Sequence, residues 1–293
     1  MKYALEVANL CKDYGKTSKT KEENAFTLRN ASFAVPEGYI MGFVGPNGAG
    51  KTTVIKSILS ILQADEGTVN LFGKTNCDIG AVMDYPCFPD EWTLTRVEKA
   101  ISPFYKNWSG EKYRQFLGKF GLDKNKTVEE LSEGMKVKLQ IAIALSHEAK
   151  LLVLDEPTSG LDPVSRDEIC ELLREFIQDG QKSVLFSTHI TSDLEKVADY
   201  VTLILNGEIH FTGTKDELLK KYLRVAGGIN DMDAYQKKHV IGMRTYSTGF
   251  EGLVLSTDSY KVPKAVLCEA ASIEEIVVFL CRECKSEGGT LHA

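Results

Sequence analysis

Gly45-Pro46-Asn47-Gly48-Ala49-Gly50-Lys51-Thr52-Thr53 is the stretch that decides how this chain folds. It satisfies G-x-x-x-x-G-K-[ST], with Gly45, Gly50, Lys51 and Thr52 at the fixed positions. Before it, Tyr39-Ile40-Met41-Gly42-Phe43-Val44 is an apolar run of strand length. After it, the apolar spacing of Thr53-Val54-Ile55-Lys56-Ser57-Ile58-Leu59 predicts a helix. Strand, glycine loop and helix form the context that the motif requires. Glycines let the backbone N–H groups close in on an anion, and the helix N-terminus adds partial positive charge there. Lys51 then reaches the β- and γ-phosphates, and the Thr52 hydroxyl suits magnesium. The stretch predicts a nucleoside-triphosphate site.

A second run supports it. Leu151-Leu152-Val153-Leu154-Asp155-Glu156 is an apolar strand ending in two acids. Ligands of parallel sheets gather at the carboxyl ends of strands. Asp155 is therefore the second magnesium residue, directly or through water. Glu156 is placed to polarise a water for attack on the γ-phosphate, as general base or by orientation. Taken alone, an ordinary strand end with an acidic turn reads equally well. Beside a phosphate loop the catalytic reading wins. Ser187-Thr188-His189 ends the next apolar strand and puts a histidine at the same edge, where it can sense the γ-phosphate.

The rest of the composition sets bounds. The 293 residues suffice for one large domain and a small one. Hydrophobic residues make up 43% and charged residues 26%, ordinary for a globular protein. The net charge of −6 argues against nucleic acid as a partner, and none is expected. The N-terminus has no signal-peptide pattern, and no run reaches the roughly 18 apolar residues of a membrane span. Seven scattered cysteines read as reduced cytosolic thiols. Cys281 and Cys284 form a lone C-x-x-C on a helix, with no partner pair to make a metal site.

Residues 1–36 alternate apolar and polar, which predicts short antiparallel strands. The lysine-rich Gly15 to Asn24 between them reads as an exposed loop. Gly67–Gly73 predicts a strand, and residues 84–148 carry helical patterns at 95–104, 110–120 and 134–149. Strands at 150–154, 183–187 and 200–205 then alternate with helices at 164–179 and 192–198, the signature of a mostly parallel sheet. The character changes near residue 225. Strands at 239–245, 250–257 and 265–269 and a helix at 273–284 predict a small α+β appendage.

Leu131-Ser132-Glu133-Gly134-Met135, then Asp155-Glu156-Pro157-Thr158-Ser159-Gly160-Leu161-Asp162, then His189, resemble in content and order the ABC ATPase cassette. The resemblance spans about residues 2–220. It implies an α/β P-loop NTPase with a mostly parallel sheet, an antiparallel β subdomain and a helical subdomain at about 84–148. The division expected is an ATPase domain over 1–224 and an accessory domain over 225–293. It implies ATP and Mg2+ as cofactors. Ser132, Glu133 and Gly134 would be the signature that caps the γ-phosphate of ATP held by a second copy, or by a closely related cassette. Asp162 would lie in the D-loop that crosses between the copies. Tyr14, in Asp13-Tyr14-Gly15, matches the aromatic that stacks on adenine; a tyrosine packed at a strand end is the lesser alternative.

Two positions depart from the family pattern. The usual signature is LSGGQ, and here Glu133 brings an acid to a phosphate site, so it must point away or be compensated. The G-M-K continuation resembles exporter-like cassettes whose permeases are separate chains. Asp84 replaces the glutamine of the Q-loop, which puts the usual coupling contact in question. The aromatic Tyr85–Trp92 segment that follows reads either as the docking site for a permease helix or as a locally packed loop. The resemblance thus implies the ATP-hydrolysing subunit of a transporter, held to the cytoplasmic face of the cell membrane through a separate permease. A soluble ABC ATPase acting on ribosomes or DNA is a rival, but no second cassette, long insertion or basic surface supports it. A regulatory module with little turnover is another, and Glu156 and His189 oppose it.

Overall fold

The computed structural model describes residues 2–15, 26–72, 75, 78–83, 88–233 and 237–287. Asp84, Tyr85–Cys87 and most of the Gly15–Asn24 loop fall outside them.

A six-stranded sheet forms the centre, in the order β5 (Ile79–Val82), β6 (Leu151–Asp155), β7 (Ser183–Thr188), β3 (Ile40–Val44), β8 (Tyr200–Leu205) and β9 (Glu208–Thr214). The first five run parallel, and β9 returns antiparallel to β8. The inner strands β3, β6 and β7 are buried at every residue. Their side chains divide by alternation. Ile40, Val44, Leu152, Leu154, Val184 and Phe186 join one core, while Met41, Phe43, Leu151, Val153 and Leu185 join another. Both faces are covered, so these strands read as continuous apolar runs.

On one face lies a three-stranded antiparallel sheet, β2 (Thr27–Pro36), β1 (Tyr3–Asp13) and β4 (Glu66–Asn70), with helix α1 (Lys51–Ile58). On the other lie α2 (Leu94–Ile101), α3 (Gly110–Lys119), α4 (Glu133–Leu145) and α5 (Pro163–Ile177). The helical segment is pinned inside by Tyr113, fully buried, whose hydroxyl donates to the Leu94 carbonyl at 3.0 Å. Burial pushes that phenol's pKa up. Helix α6 (Thr191–Val197) follows β7, and α7 (Lys215–Lys221) follows β9 with a capping box at Thr214 and Glu217.

The C-terminal part is a four-stranded antiparallel sheet in the order β11 (Ile241–Thr245), β12 (Phe250–Leu255), β10 (Tyr222–Gly227) and β13 (Leu267–Ala270), with helix α8 (Ile273–Glu287). Strand β10 runs across position 224/225, where the composition shifts. Ile273, Ile276, Phe279 and Leu280 of α8 enter the same core as Leu194, Val197 and Ala198. Cys284 of α8 lies 3.9 Å from His210 of β9, yet among the described residues no three His, Cys, Asp or Glu side chains gather as a metal site.

Candidate active site

All five parallel strands end on one side of the sheet. The loop after β3 is Gly45–Gly50, β6 ends in Asp155 and runs into Glu156, and β7 runs into His189. The order β6-β7-β3 makes these ends neighbours. Gly48 (φ 78°) and Gly50 (φ 108°) take left-handed backbone that glycine adopts freely, and this turns the loop into the first residue of α1. Asn47, Gly48, Gly50, Lys51, Thr52, Thr53, Glu156, Ser159, His189 and Phe26 line a cleft of about 490 Å³. Ala49 is buried beneath the loop and accepts from the Gly207 N–H at 3.1 Å.

Lys51 folds back over the loop. Its ammonium donates to the carbonyls of Gly45 at 2.7 Å and Pro46 at 3.3 Å, and it lies 3.2 Å from Glu156 Oε1. The other oxygen, Glu156 Oε2, is 2.7 Å from His189 Nδ1 and accepts from the His189 backbone N–H at 3.2 Å. A carboxylate only accepts, so Nδ1 carries the hydrogen. Glu156 has φ 52°, a left-handed backbone that costs a non-glycine residue on the order of 1 kcal/mol and is met at functional sites. Its N–H donates to the Ser187 hydroxyl at 3.0 Å, and that hydroxyl donates to Asp155 Oδ1 at 2.6 Å. One serine thus fixes both acids.

Asp155 is 1% exposed, and its Oδ2 is buried without a hydrogen-bond partner. An ionised oxygen is costly in that position unless a cation or its water meets it. The donor set, a carboxylate with the exposed Thr52 hydroxyl in the cleft above, is all oxygen and suits a hard divalent ion.

Tyr14 stands over the start of α1, its hydroxyl 3.3 Å from Thr53 Oγ1 and its ring 6.3 Å from that of Phe26. Ser132 caps α4, accepting from the Met135 N–H at 3.3 Å. Glu133, exposed, pairs with Lys136 at 2.8 Å, so the unexpected acid of the signature is compensated one turn along its own helix. Hydrogen bonding to Glu133 raises the Lys136 pKa. Gly134 lies against Leu161. Ser132, Glu133 and Gly134 are not among the residues that line the cleft of their own chain. Asp162 caps α5, accepting from the N–H groups of Val164 at 3.0 Å and Ser165 at 3.1 Å. Hydrogen bonds from Ser165 hold its carboxyl below the usual range.

Sequence reasoning passed over Phe26, Ser159 and Ser187. Ser187 stood in the quoted Ser187-Thr188-His189, but nothing in the sequence says which strand its hydroxyl faces. Of the aromatic segment, Phe88 and Trp92 pack inward against the core, while Phe104 nearby in sequence is 78% exposed.

The fold and this cleft define a P-loop nucleoside-triphosphate hydrolase. A family model for ABC transporters matches residues 28–159. An uncharacterised ABC transporter ATP-binding protein of Bacillus subtilis, YxlF, is 36% identical over 222 residues, 73% of this chain and 72% of the relative. The bacitracin transport ATP-binding protein BcrA of Enterococcus faecalis is 33% identical over 219 residues, 71% and 68% of the two chains. Among solved structures, the ATP-binding subunit of an ABC transporter superposes with a TM-score of 0.64 at 26% identity, covering 73% of this chain and 91% of that one. This chain belongs to the ABC transporter ATP-binding family. It is an ATP-binding subunit with ATPase activity.

Proposed function

We propose that two copies of this chain, or one copy and a closely related cassette, close head-to-tail around two ATP molecules and pass that motion to a separate permease. The carrying observation is the single cleft in which Lys51, Glu156 and His189 meet while Ser132 lies elsewhere on the chain. Half of the phosphate-binding machinery then has to come from a second copy. A serine hydroxyl and a helix N-terminus suit an anion there.

Asp155 and Thr52 would hold magnesium, which when bound neutralises charge on the transferring phosphoryl group. Lys51 and the loop N–H groups bind and orient the phosphates. Glu156 takes or orients the proton of the attacking water, and His189 holds Glu156 in place. Tyr14 is assigned to the adenine face. Asp84 remains the proposed Q-loop position.

Export is the proposed direction, from the resemblance of the G-M-K signature to exporter-like cassettes, and a relative is named for bacitracin transport. The chain would then sit at the cytoplasmic face through its permease, with exposed Phe104 as a candidate docking contact. No described helix is long and apolar enough to cross a membrane by itself. Residues 225–293 are proposed as an accessory domain.

The test is magnesium-dependent phosphate release by the purified chain, alone and with a co-purified permease. A monomer should bind ATP and hydrolyse it poorly, and association should raise turnover. A monomer that hydrolyses at the full rate of the assembled complex would overturn the composite site.

A further inference from the structure

Gln140 is a polar side chain 7% exposed on the inner face of α4, two turns beyond Ser132. Its amide makes two hydrogen bonds. Nε2 donates to the Met83 carbonyl at 3.0 Å, and Oε1 accepts from the Met83 N–H at 2.9 Å. One edge of a primary amide presents a donor and an acceptor side by side, as one strand residue presents its N–H and C=O to a neighbouring strand. Gln140 therefore does for the backbone just past β5 what another strand would do. The contact is close over a full turn. A Cβ at Gly80 of β5 would sit 2.9 Å from the Ala144 Cβ, and Ala144 is on the same face of α4 as Gln140.

The other edge of β5 is laddered to β6, with Val82 opposite Leu154. Met83 follows the last residue of β5, and Asp155 is the last residue of β6. Gln140 thus holds the residue that follows β5, β5 is laddered to β6, and the Asp155 end of β6 is tied through Ser187 to Glu156.

We propose that Gln140 is a positioning residue that couples α4, whose N-terminus serves the ATP of the second copy, to the metal and water side of the chain's own site. It rests on the assignment of Asp155 and Glu156 above. An amide serving only to blunt a sheet edge would stabilise the fold and transmit nothing.

Hydrogen exchange of the full chain separates the two. It is measured with and without magnesium AMP-PNP, at a dilution where light scattering shows monomer. In the wild type, the nucleotide analogue is expected to slow exchange several-fold both at residues 45–58 and at residues 133–145. Gln140→Met, similar in volume but without the amide, is expected to keep the response at 45–58 and lose it at 133–145. If that variant does not fold, Gln140→Glu takes its place with the same expected loss, because it cannot donate to Met83 O. An unchanged 133–145 response in the variant, or none in the wild type while 45–58 responds, overturns the coupling. No response at 45–58 in the wild type sinks the assignment of the nucleotide site, and the coupling with it.

Discussion

The Lys51 ammonium lies 3.2 Å from the Glu156 carboxylate, so the phosphate-binding cation and the candidate base are paired with each other. Both are largely buried, at 6% and 13% exposure, where the attraction is stronger than in water. A γ-phosphate has to compete with Glu156 for Lys51. Glu156→Gln removes that competitor along with the base. The variant is expected to bind ATP at least as tightly as the wild type while turnover falls by about 10²–10⁴. Equilibrium binding and phosphate release on the same sample check both halves, and near-normal turnover would exclude Glu156 from the chemistry.

Asp155 tests the metal assignment through stability as well as activity. Its Oδ2 is buried and without a hydrogen-bond partner, and an unmatched charge there is a burden on the fold. Asp155→Asn is expected to hold or raise the thermal midpoint in magnesium-free buffer. The same change should remove magnesium-dependent turnover. A variant that melts far lower in magnesium-free buffer would mean that Asp155 is structural.

Lys136 is predicted to be needed only because Glu133 is there. The pair at 2.8 Å offsets part of the acid's charge at the signature. Lys136→Ala should weaken ATP-driven association most at low ionic strength. Added salt should restore part of it, since the Debye length shrinks to about 8 Å at 0.15 M. Sedimentation at two salt concentrations reads this out. Loss that is independent of salt would point to packing instead.

Cys170 gives a pH dependence. Burial first, and then the nearby Asp193 charge, push its thiol up to about 11. A thiol held protonated by the fold stabilises it fully below the unfolded value of about 8.5, and that contribution is lost as pH rises through the folded value. The midpoint of the wild type should therefore fall more steeply than that of Cys170→Ala between about pH 8.5 and 11. Parallel profiles would show that Cys170 contributes nothing to the slope.

Much of the site was legible because its residues follow buried strands. A fully apolar run ending abruptly in a loop of glycines, two acids or a histidine reads as a strand end in a parallel sheet, and such ends meet. β3, β6 and β7 behaved this way. Strands β5, β9 and β10 were passed over for opposite reasons. β5 has four residues and lies at an edge, its outer side matched by a side chain. β9 alternates as Glu208-Ile209-His210-Phe211 but is too polar to stand out, and β10 begins in the helix-like Lys220-Lys221-Tyr222 run. Ser187 and Gln140 were invisible for another reason. A serine in a strand and a glutamine in a helix are ordinary, and only the approach of a second element gives each its task.

Helix α6 begins two residues past His189, and its apolar side, Leu194 and Val197, meets Ile273, Ile276 and Phe279 of α8. The chain's last helix therefore backs the helix that follows the histidine. A protein ending near residue 224 would turn part of that hydrocarbon toward water. The last helix and the helix that follows His189 are thus parts of one apolar core.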